Sequence, residues 1–363
     1  MCGHFLLLVL HYLVFLHECR HFFLGAYYGR TLIMKIVIPV AGIGSKLRPH
    51  THTQPKALVP VAGKPILAHI IDSLVDAGFD DFIFIIGYLG DKIESFVTEK
   101  YPKIKRTFII QEPREGTGHA IWLARDKVPQ QEEMLIVLGD TIVEFDIQMV
   151  TSSPHSLLGV KKVDDPRNFG VAEIDSEGFI TRLSEKPNIP KSNLALVGIY
   201  FIKESGKLFE MLDHMIRNNQ KTRDEYNLTE AIMKMIEKGS KVAAFQIGNW
   251  YDCGGKANLL ETNAILLKRT TVDPNRKHFH NTIIIEPVSI APDCDISDSI
   301  IGPNVSIGER TIIKSSIIKE SIIGSYSQLE TAVLSKSIVG SDAYLKGLSQ
   351  SLNIGDSTEI DFS

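Results

Sequence analysis

The sequence has little cysteine, no excess of basic charge and no long uninterrupted apolar run, and each shortage excludes something. Four cysteines (Cys2, Cys19, Cys253, Cys294) lie scattered, with no CxxC pair. That argues against a disulfide framework and favours a reducing compartment, so a cytoplasmic location is expected. The formal net charge of -4 argues against a general nucleic-acid binder, which would carry a basic face. The stretch from Phe5 to Leu16 is nearly all apolar, yet it is shorter than the roughly 20 residues of a spanning helix. It also lacks the basic leader and small-residue cleavage site of a secretory signal. Membrane association is therefore not expected. Histidine does not occur at all after His280.

Residues 1–33 differ in composition from everything that follows. They hold two of the four cysteines and four of the twelve histidines. The cluster Cys2, His4, His11, His17, Cys19 and His21 lacks finger spacing and is not read as a metal site. Directly afterwards Met34-Lys35-Ile36-Val37-Ile38-Pro39 reads as a methionine followed by a buried strand. The expectation is a start assigned too early, with a weak membrane anchor as the alternative.

From Met34 to about Leu267, short apolar runs alternate with amphipathic stretches. Lys35–Val40, Asp81–Ile86, Thr107–Ile110 and Met134–Leu138 read as buried strands. Between them, Ile66–Ala77, Asp91–Lys100 and Thr117–Lys127 carry apolar residues at helical spacing. This alternation predicts a Rossmann-like α/β domain over 34–267: an open, mostly parallel sheet with helices on both faces and its site at the carboxyl ends of the strands. Residues 268–280, polar and containing Pro274, read as a linker.

Beyond Asn281 the period changes. Ile290, Ile296, Ile301, Ile307, Ile313, Ile318, Ile323, Leu329, Leu334, Val339 and Leu345 recur at intervals of five or six, with Gly302, Gly308, Gly324 and Gly340 directly after apolar positions. Neither a helix nor an alternating strand has that spacing. A left-handed β-helix of hexapeptide repeats does, and it is expected over 281–350 in about four coils, with 351–363 as a tail.

Val40-Ala41-Gly42-Ile43-Gly44-Ser45-Lys46-Leu47-Arg48-Pro49, continuing through Pro55-Lys56-Ala57-Leu58-Val59-Pro60, follows the first strand. Glycines there allow close backbone approach, and successive amides can cradle a polyphosphate. Lys46, Arg48 and Lys56 place positive charge where phosphate charge concentrates. Together these residues resemble the signature of the sugar nucleotidyltransferase family, which includes glucose-1-phosphate thymidylyl- and uridylyltransferases. Further motifs follow in family order: Gln111-Glu112-Pro113-Arg114-Glu115-Gly116-Thr117-Gly118, Val137-Leu138-Gly139-Asp140, Phe169-Gly170-Val171, Glu185-Lys186-Pro187, Val197-Gly198-Ile199-Tyr200 and Trp250-Tyr251-Asp252-Cys253-Gly254. One departure stands out. The loop is one residue shorter than the family pattern, and Lys46 occupies the place of the usual arginine, so either Lys46 or Arg48 serves the leaving pyrophosphate.

The resemblance implies condensation of a nucleoside triphosphate, UTP or dTTP, with a sugar 1-phosphate to give a nucleotide sugar and pyrophosphate. It implies catalytic roles for Lys46, Arg48 and Lys56. Ala41, Gly42, Gly44, Gln111, Gly116 and Thr117 would contact the nucleotide, Gln111 and Gly116 suiting uracil or thymine. Gly170, Glu185, Lys186 and Gly198 would hold the sugar phosphate, and Asp140 with Asp252 would hold Mg²⁺. Trp250 and Tyr251 are expected in the core. Two other readings compete. A catalytically silent regulatory subunit of the same fold would be expected to lack Asp140, Asp252 or Lys56, and all three are present. A bifunctional acyltransferase needs a longer β-helix with a catalytic histidine, and none follows His280. The β-helix is therefore expected to serve assembly or regulation in a homo-oligomer.

Overall fold

The computed structural model describes residues 34–270, 277–347, 349–350 and 352–361. The expectations about residues 1–33 lie outside these, as do 271–276 of the linker.

Strands β1 (Lys35–Pro39), β2 (Asp81–Ile86), β3 (Lys105–Ile110) and β4 (Met134–Val137) pair in parallel, with β1 between β4 and β2 and with β3 outside β2. Parallel neighbours require crossovers, and these are helices α1 (Ile66–Asp76), α2 (Gly90–Lys100) and α3 (Thr117–Leu123). Alternate residues of the sheet feed two cores. Ile36, Ile38, Phe82 and Phe84 pack with Ile66, Ile70, Ile93 and Val97 of α1 and α2. Val37, Ile83, Ile85 and Ile136 pack with Ala120 and Ile121 of α3 on the other face. Burial on both faces explains why β1, β2 and β4 read as continuous apolar runs; β3, expected to be buried, is instead the half-exposed edge strand, with Ile110 67% open to solvent.

The second half of the domain makes the sheet mixed. It contributes β5 (Thr141–Glu144), α4 (Ile147–Thr151), β6 (Ser156–Lys162), β7 (Gly170–Ile174), β8 (Ile180–Glu185), β9 (Leu194–Ile202), α5 (Ser205–Arg217), α6 (Leu228–Glu237), β10 (Val242–Gln246), β11 (Asn249–Asp252) and α7 (Lys256–Leu267). β9 lies antiparallel to β4, β6 and β7, and its register with β6 shifts between Leu196 and Tyr200. Gly198 sits in that shift at φ 86°, a left-handed conformation that side chains resist, and a Cβ there would lie 3.0 Å from Thr141 and 3.1 Å from Leu138. β5 and β11 form a separate antiparallel pair.

The β-helix is three five-stranded parallel sheets stacked rung on rung. All the ladder residues expected from the spacing point inward; Ile301, Ile313, Ile318, Leu329, Leu334 and Leu345 are fully buried. Corner positions such as Arg310, Glu320, Tyr326, Lys336 and Asp342 take positive φ, so polar residues as well as glycines make the turns. Glycine is needed at Gly324, where a Cβ would lie 2.4 Å from the Gly340 carbonyl carbon. Buried hydroxyls satisfy inner backbone groups: Ser337 N–H donates to Ser321 Oγ, and Ala332 N–H to Ser316 Oγ, each at 3.0 Å.

One boundary is corrected. Residues 351–363, expected as a tail, include strands Asn353–Ile354 and Glu359–Asp361, which pair in register with Ile338–Val339 and Tyr344–Lys346. The stack has a fifth rung and does not end near residue 350. The rung was hidden because polar Gln350 stands where the spacing calls for an apolar residue, leaving only Ile354 and Ile360 on the ladder.

The two regions share packing. Ile322 and Ile338 of the β-helix join the core of the α/β domain. Asn263 of α7, fully buried, accepts from Ala62 N–H at 2.9 Å and Ser306 Oγ at 2.6 Å, and donates to the Asn304 carbonyl at 3.2 Å.

Candidate active site

The glycine turn after β1 lies at the carboxyl edge of the parallel strands. Ala41 is buried and Gly42 exposed, with open space where its side chain would be. Gly44 adopts φ 69°, and a Cβ there would press within 2.8 Å of Lys56 Cβ. Leu47 N–H and Thr51 Oγ1 both donate to the Gly44 carbonyl at 2.9 Å, which closes the turn. Buried Leu47 anchors its short helix, leaving Lys46 and Arg48 on either side of it exposed to solvent.

Lys56 is held differently. Its side chain is 16% exposed, and Nζ donates to Asp140 Oδ2 at 2.7 Å. A mostly buried ammonium needs such a partner. Asp140 is itself half-exposed, its side chain 49% open to solvent. Its backbone follows Gly139, where a Cβ would lie 2.2 Å from Val40, so β4 can approach the end of β1 only with glycine at this point.

The β5–β11 pair brings the second carboxylate in. Thr141 is the register partner of Asp252, and Cys253 N–H donates to the Asp140 carbonyl at 3.3 Å. Asp252 Oδ1 accepts from Gly254 N–H at 2.8 Å and Oδ2 from Asn258 Nδ2 at 2.7 Å. The buried Cys253 thiol between these groups is pushed up to about 12, mainly by burial, with the charges of Asp252 and Asp140 adding and that of Lys56 opposing. It is inert as a nucleophile. Two carboxylates with spare oxygen lone pairs, one half-exposed, fit Mg²⁺, which takes a few carboxylates and fills its shell with phosphate oxygens and water. No group of three or more potential metal ligands occurs among the described residues.

Gly170 and Glu185 are register partners at the facing ends of β7 and β8. A Cβ at Gly170 would meet Leu196 at 2.8 Å and Glu185 Oε2 at 3.3 Å. Glu185 accepts from Thr229 Oγ1 at 2.7 Å and pairs with Lys186 Nζ at 3.5 Å. Lys186 itself has φ 42° and its carbonyl accepts from Arg223, so the backbone is bent to turn this side chain. Buried Tyr200 links the two halves: its hydroxyl is raised by burial first, then by the charges of Glu185 and Asp140.

The remaining expected contacts lie where β3 runs into α3. Gln111 is buried, and its Nε2 donates to the Gly116 carbonyl at 2.9 Å. Gly116 (φ 98°) has no room for a Cβ, which would sit 2.7 Å from the Tyr226 carbonyl oxygen. Thr117 is exposed, and its hydroxyl accepts from Leu228 N–H at 3.2 Å, which ties the loop to α6. Glu115 pairs with Lys221 at 2.6 Å. Tyr251 is core, whereas Trp250 is only half-buried: its indole donates to Thr141 Oγ1 at 2.7 Å and its ring meets Phe169 edge-on. Sequence reasoning missed Thr229 and Asn258, which hold the two acidic groups. No local pattern marks either one.

A lysine paired to a strand-end aspartate lies beneath an open glycine turn at the carboxyl ends of the parallel strands, the place where open α/β sheets hold their ligands. Fold and site thus have the form of an α/β enzyme that handles phosphate groups. The nucleotidyl transferase family model matches residues 35–269, and the chain belongs to this family of sugar-1-phosphate nucleotidyltransferases. It is 38% identical over 252 residues to the bifunctional protein GlmU of Methanocaldococcus jannaschii, covering 69% of this chain and 59% of that relative's length. It is 31% identical to a glucose-1-phosphate thymidylyltransferase of Streptomyces antibioticus, over 80% of this chain and 87% of the relative. Among solved structures, a Bacillus anthracis protein assigned as a glucose-1-phosphate thymidylyltransferase, with sucrose bound, superposes with a TM-score of 0.55 at 29% identity, over 64% of this chain and 94% of that one. No helix among the described residues is long and apolar enough to cross a membrane.

Proposed function

We propose that this chain condenses UTP or dTTP with a sugar 1-phosphate, releasing pyrophosphate and forming a nucleotide sugar. The observation that carries the reading is the Lys56–Asp140 pair at 2.7 Å with Asp252 on the neighbouring strand. A cation and two carboxylates gathered beside the glycine turn support a reading in which a nucleotide held by that turn presents its α-phosphate to them. The attacking sugar phosphate is already ionised, so catalysis rests on alignment and charge neutralisation. Lys56 binds the α-phosphate and offsets charge that builds there. Lys46 or Arg48 draws off the leaving pyrophosphate; a lysine would do so as a point charge, an arginine through a two-pronged contact. Lys186 holds the incoming phosphate, Glu185 accepts from sugar hydroxyls, and the bare backbone of Gly170 and Gly198 leaves room for the ring. Asp140 and Asp252 would hold Mg²⁺, which would supply positive charge against that of the phosphates.

Uracil and thymine suit the base site for a chemical reason. Gln111 Oε1 can accept the imide N–H while the loop at Gly116 and Thr117 closes on the edge beside it. The cytoplasm is the proposed location, given four scattered cysteines, of which Cys253 and Cys294 are free and buried. The β-helix is proposed as an assembly module, because a solenoid's end coils carry strand edges that must be capped or paired. An assay of pyrophosphate release crossing five nucleoside triphosphates with several sugar 1-phosphates tests the reaction. UTP or dTTP with one hexose 1-phosphate is expected to dominate. A preference for ATP or GTP would overturn the base assignment, and silence across the panel would overturn the reaction.

A further inference from the structure

The fifth rung of the β-helix reaches the catalytic loop. Between Arg48 and Thr53 the loop carries two buried side chains, His50 and Thr51. Thr51 turns inward to the Gly44 carbonyl, and His50 turns outward. Asn353 meets it: its Oδ1 lies 2.8 Å from His50 Nε2, and its Nδ2 donates to the Arg48 carbonyl at 3.3 Å. One amide thus bridges the residues on either side of Pro49. Pro49 packs on Gly355, where a Cβ would come within 3.1 Å of the proline ring, and Thr53 bonds to Asp356. Because Asn353 Oδ1 can only accept, His50 Nε2 carries the proton that it donates; burial lowers the His50 pKa.

We propose that Asn353 is a positioning residue for nucleotidyl transfer, fixing from the β-helix the loop segment that presents Arg48 and, through His50 and Thr51, the Gly44 turn. The inference rests on the assignment of that turn to the triphosphate. The loop between β1 and α1, residues 40–65, is anchored elsewhere by the Lys56–Asp140 pair and by Tyr88 and Lys92, which donate to the His52 and Thr53 carbonyls at 3.0 and 2.6 Å. Asn353 adds the tie at Arg48 and His50, and having to order that segment on binding would weaken affinity for the nucleotide. The clamp reaches the polyphosphate end of the site and none of Gly170, Glu185 or Lys186. Its signature is therefore selective: the nucleotide is affected and the sugar phosphate is not. An interface contact that merely joined two regions would instead alter the melting temperature and leave both Michaelis constants alone.

The test uses the full chain. Because Asn353 is exposed, Asn353→Ala is expected to fold and to raise KM for the nucleoside triphosphate by about threefold to tenfold, as loss of one or two hydrogen bonds predicts. In the reverse direction, KM for pyrophosphate rises similarly. Neither kcat nor KM for the sugar phosphate changes by more than about twofold. Asn353→Asp, which keeps the acceptor for His50 and removes the donor to Arg48, falls between. Glu359→Ala, on the same rung but away from the loop, matches wild type. Combined with His50→Ala, Asn353→Ala is less than additive, because the two share one of the two contacts that Asn353 makes. An unchanged nucleotide KM in Asn353→Ala, with Lys56→Ala inactive, overturns the clamp alone. Full turnover by Lys56→Ala overturns the assignment of the loop, and the clamp with it.

Discussion

In the β-helix a residue's partners lie one rung away, as when Ser337 N–H donates to the hydroxyl of Ser321 sixteen positions earlier. In the nucleotidyl domain Lys56 meets Asp140 across 84 positions, and Glu185 meets Thr229 across 44. The first region is held by repetition: every rung buries the same kind of ladder residue, and stability approximates a sum of neighbour terms. The second is held by a large double core, and its site is a set of strand ends that meet only once the sheet has formed. Damage should therefore show as lost stability in one region and as lost chemistry in the other.

The largest expected effect lies in the chemistry. Asp140→Asn keeps an oxygen acceptor for Lys56 while removing the charge, so the melting temperature should stay near wild type. Turnover at saturating Mg²⁺ should fall by about a thousandfold or more, as loss of a metal carboxylate implies. A variant still within tenfold of wild type would make Asp140 a packing residue and break the contrast. On the other side, Ile318→Ala empties a fully buried ladder position and should cost the β-helix about 2–5 kcal/mol. Denaturant titration followed by circular dichroism measures that loss. The folded fraction should still turn over normally.

At the junction the two behaviours should meet. Asn263→Ala strips partners from Ala62 N–H and Ser306 Oγ. Leaving these groups buried and unpaired should cost about 1–3 kcal/mol and split one unfolding transition into two. A single unshifted transition would show that the regions are joined elsewhere, at Ile322 and Ile338. The smallest effect is on pH. His50, His69 and His119 have pKa values lowered chiefly by burial. The unfolded chain therefore takes up protons first as pH falls below about 6.5. Stability from these groups is present above that pH and is lost as pH drops through the lowered folded values. The melting temperature should fall between pH 7.5 and 5.5, and the fall should be shallower in His69→Gln. An equal slope in that variant would assign the effect to other groups.

How much of this was legible followed the same division. β2 begins and ends where its apolar run does, and α1 and α2 each lie within one residue of the spacing-based span. The ladder from Ile290 to Leu345 was readable because each position repeats a local rule. Gln350 broke that rule and hid the fifth rung, and with it the contact of Asn353 with the catalytic loop. The site was legible only through motifs in order. Asp140 and Asp252 stood out only as members of those motifs, and nothing in the sequence places Thr141 opposite Asp252, or Thr229 against Glu185. Those pairings come from sheet register, which the strand sequences leave open.

The most direct measurement follows the α-phosphorus. With UTP or dTTP labelled at that position, a sugar 1-phosphate and Mg²⁺, wild-type protein should move the label into a nucleotide sugar as unlabelled pyrophosphate appears in equal amount. Lys56→Ala should move almost none. Label recovered as free nucleoside mono- or diphosphate, or transfer that Lys56→Ala performs as well as wild type, would contradict the account.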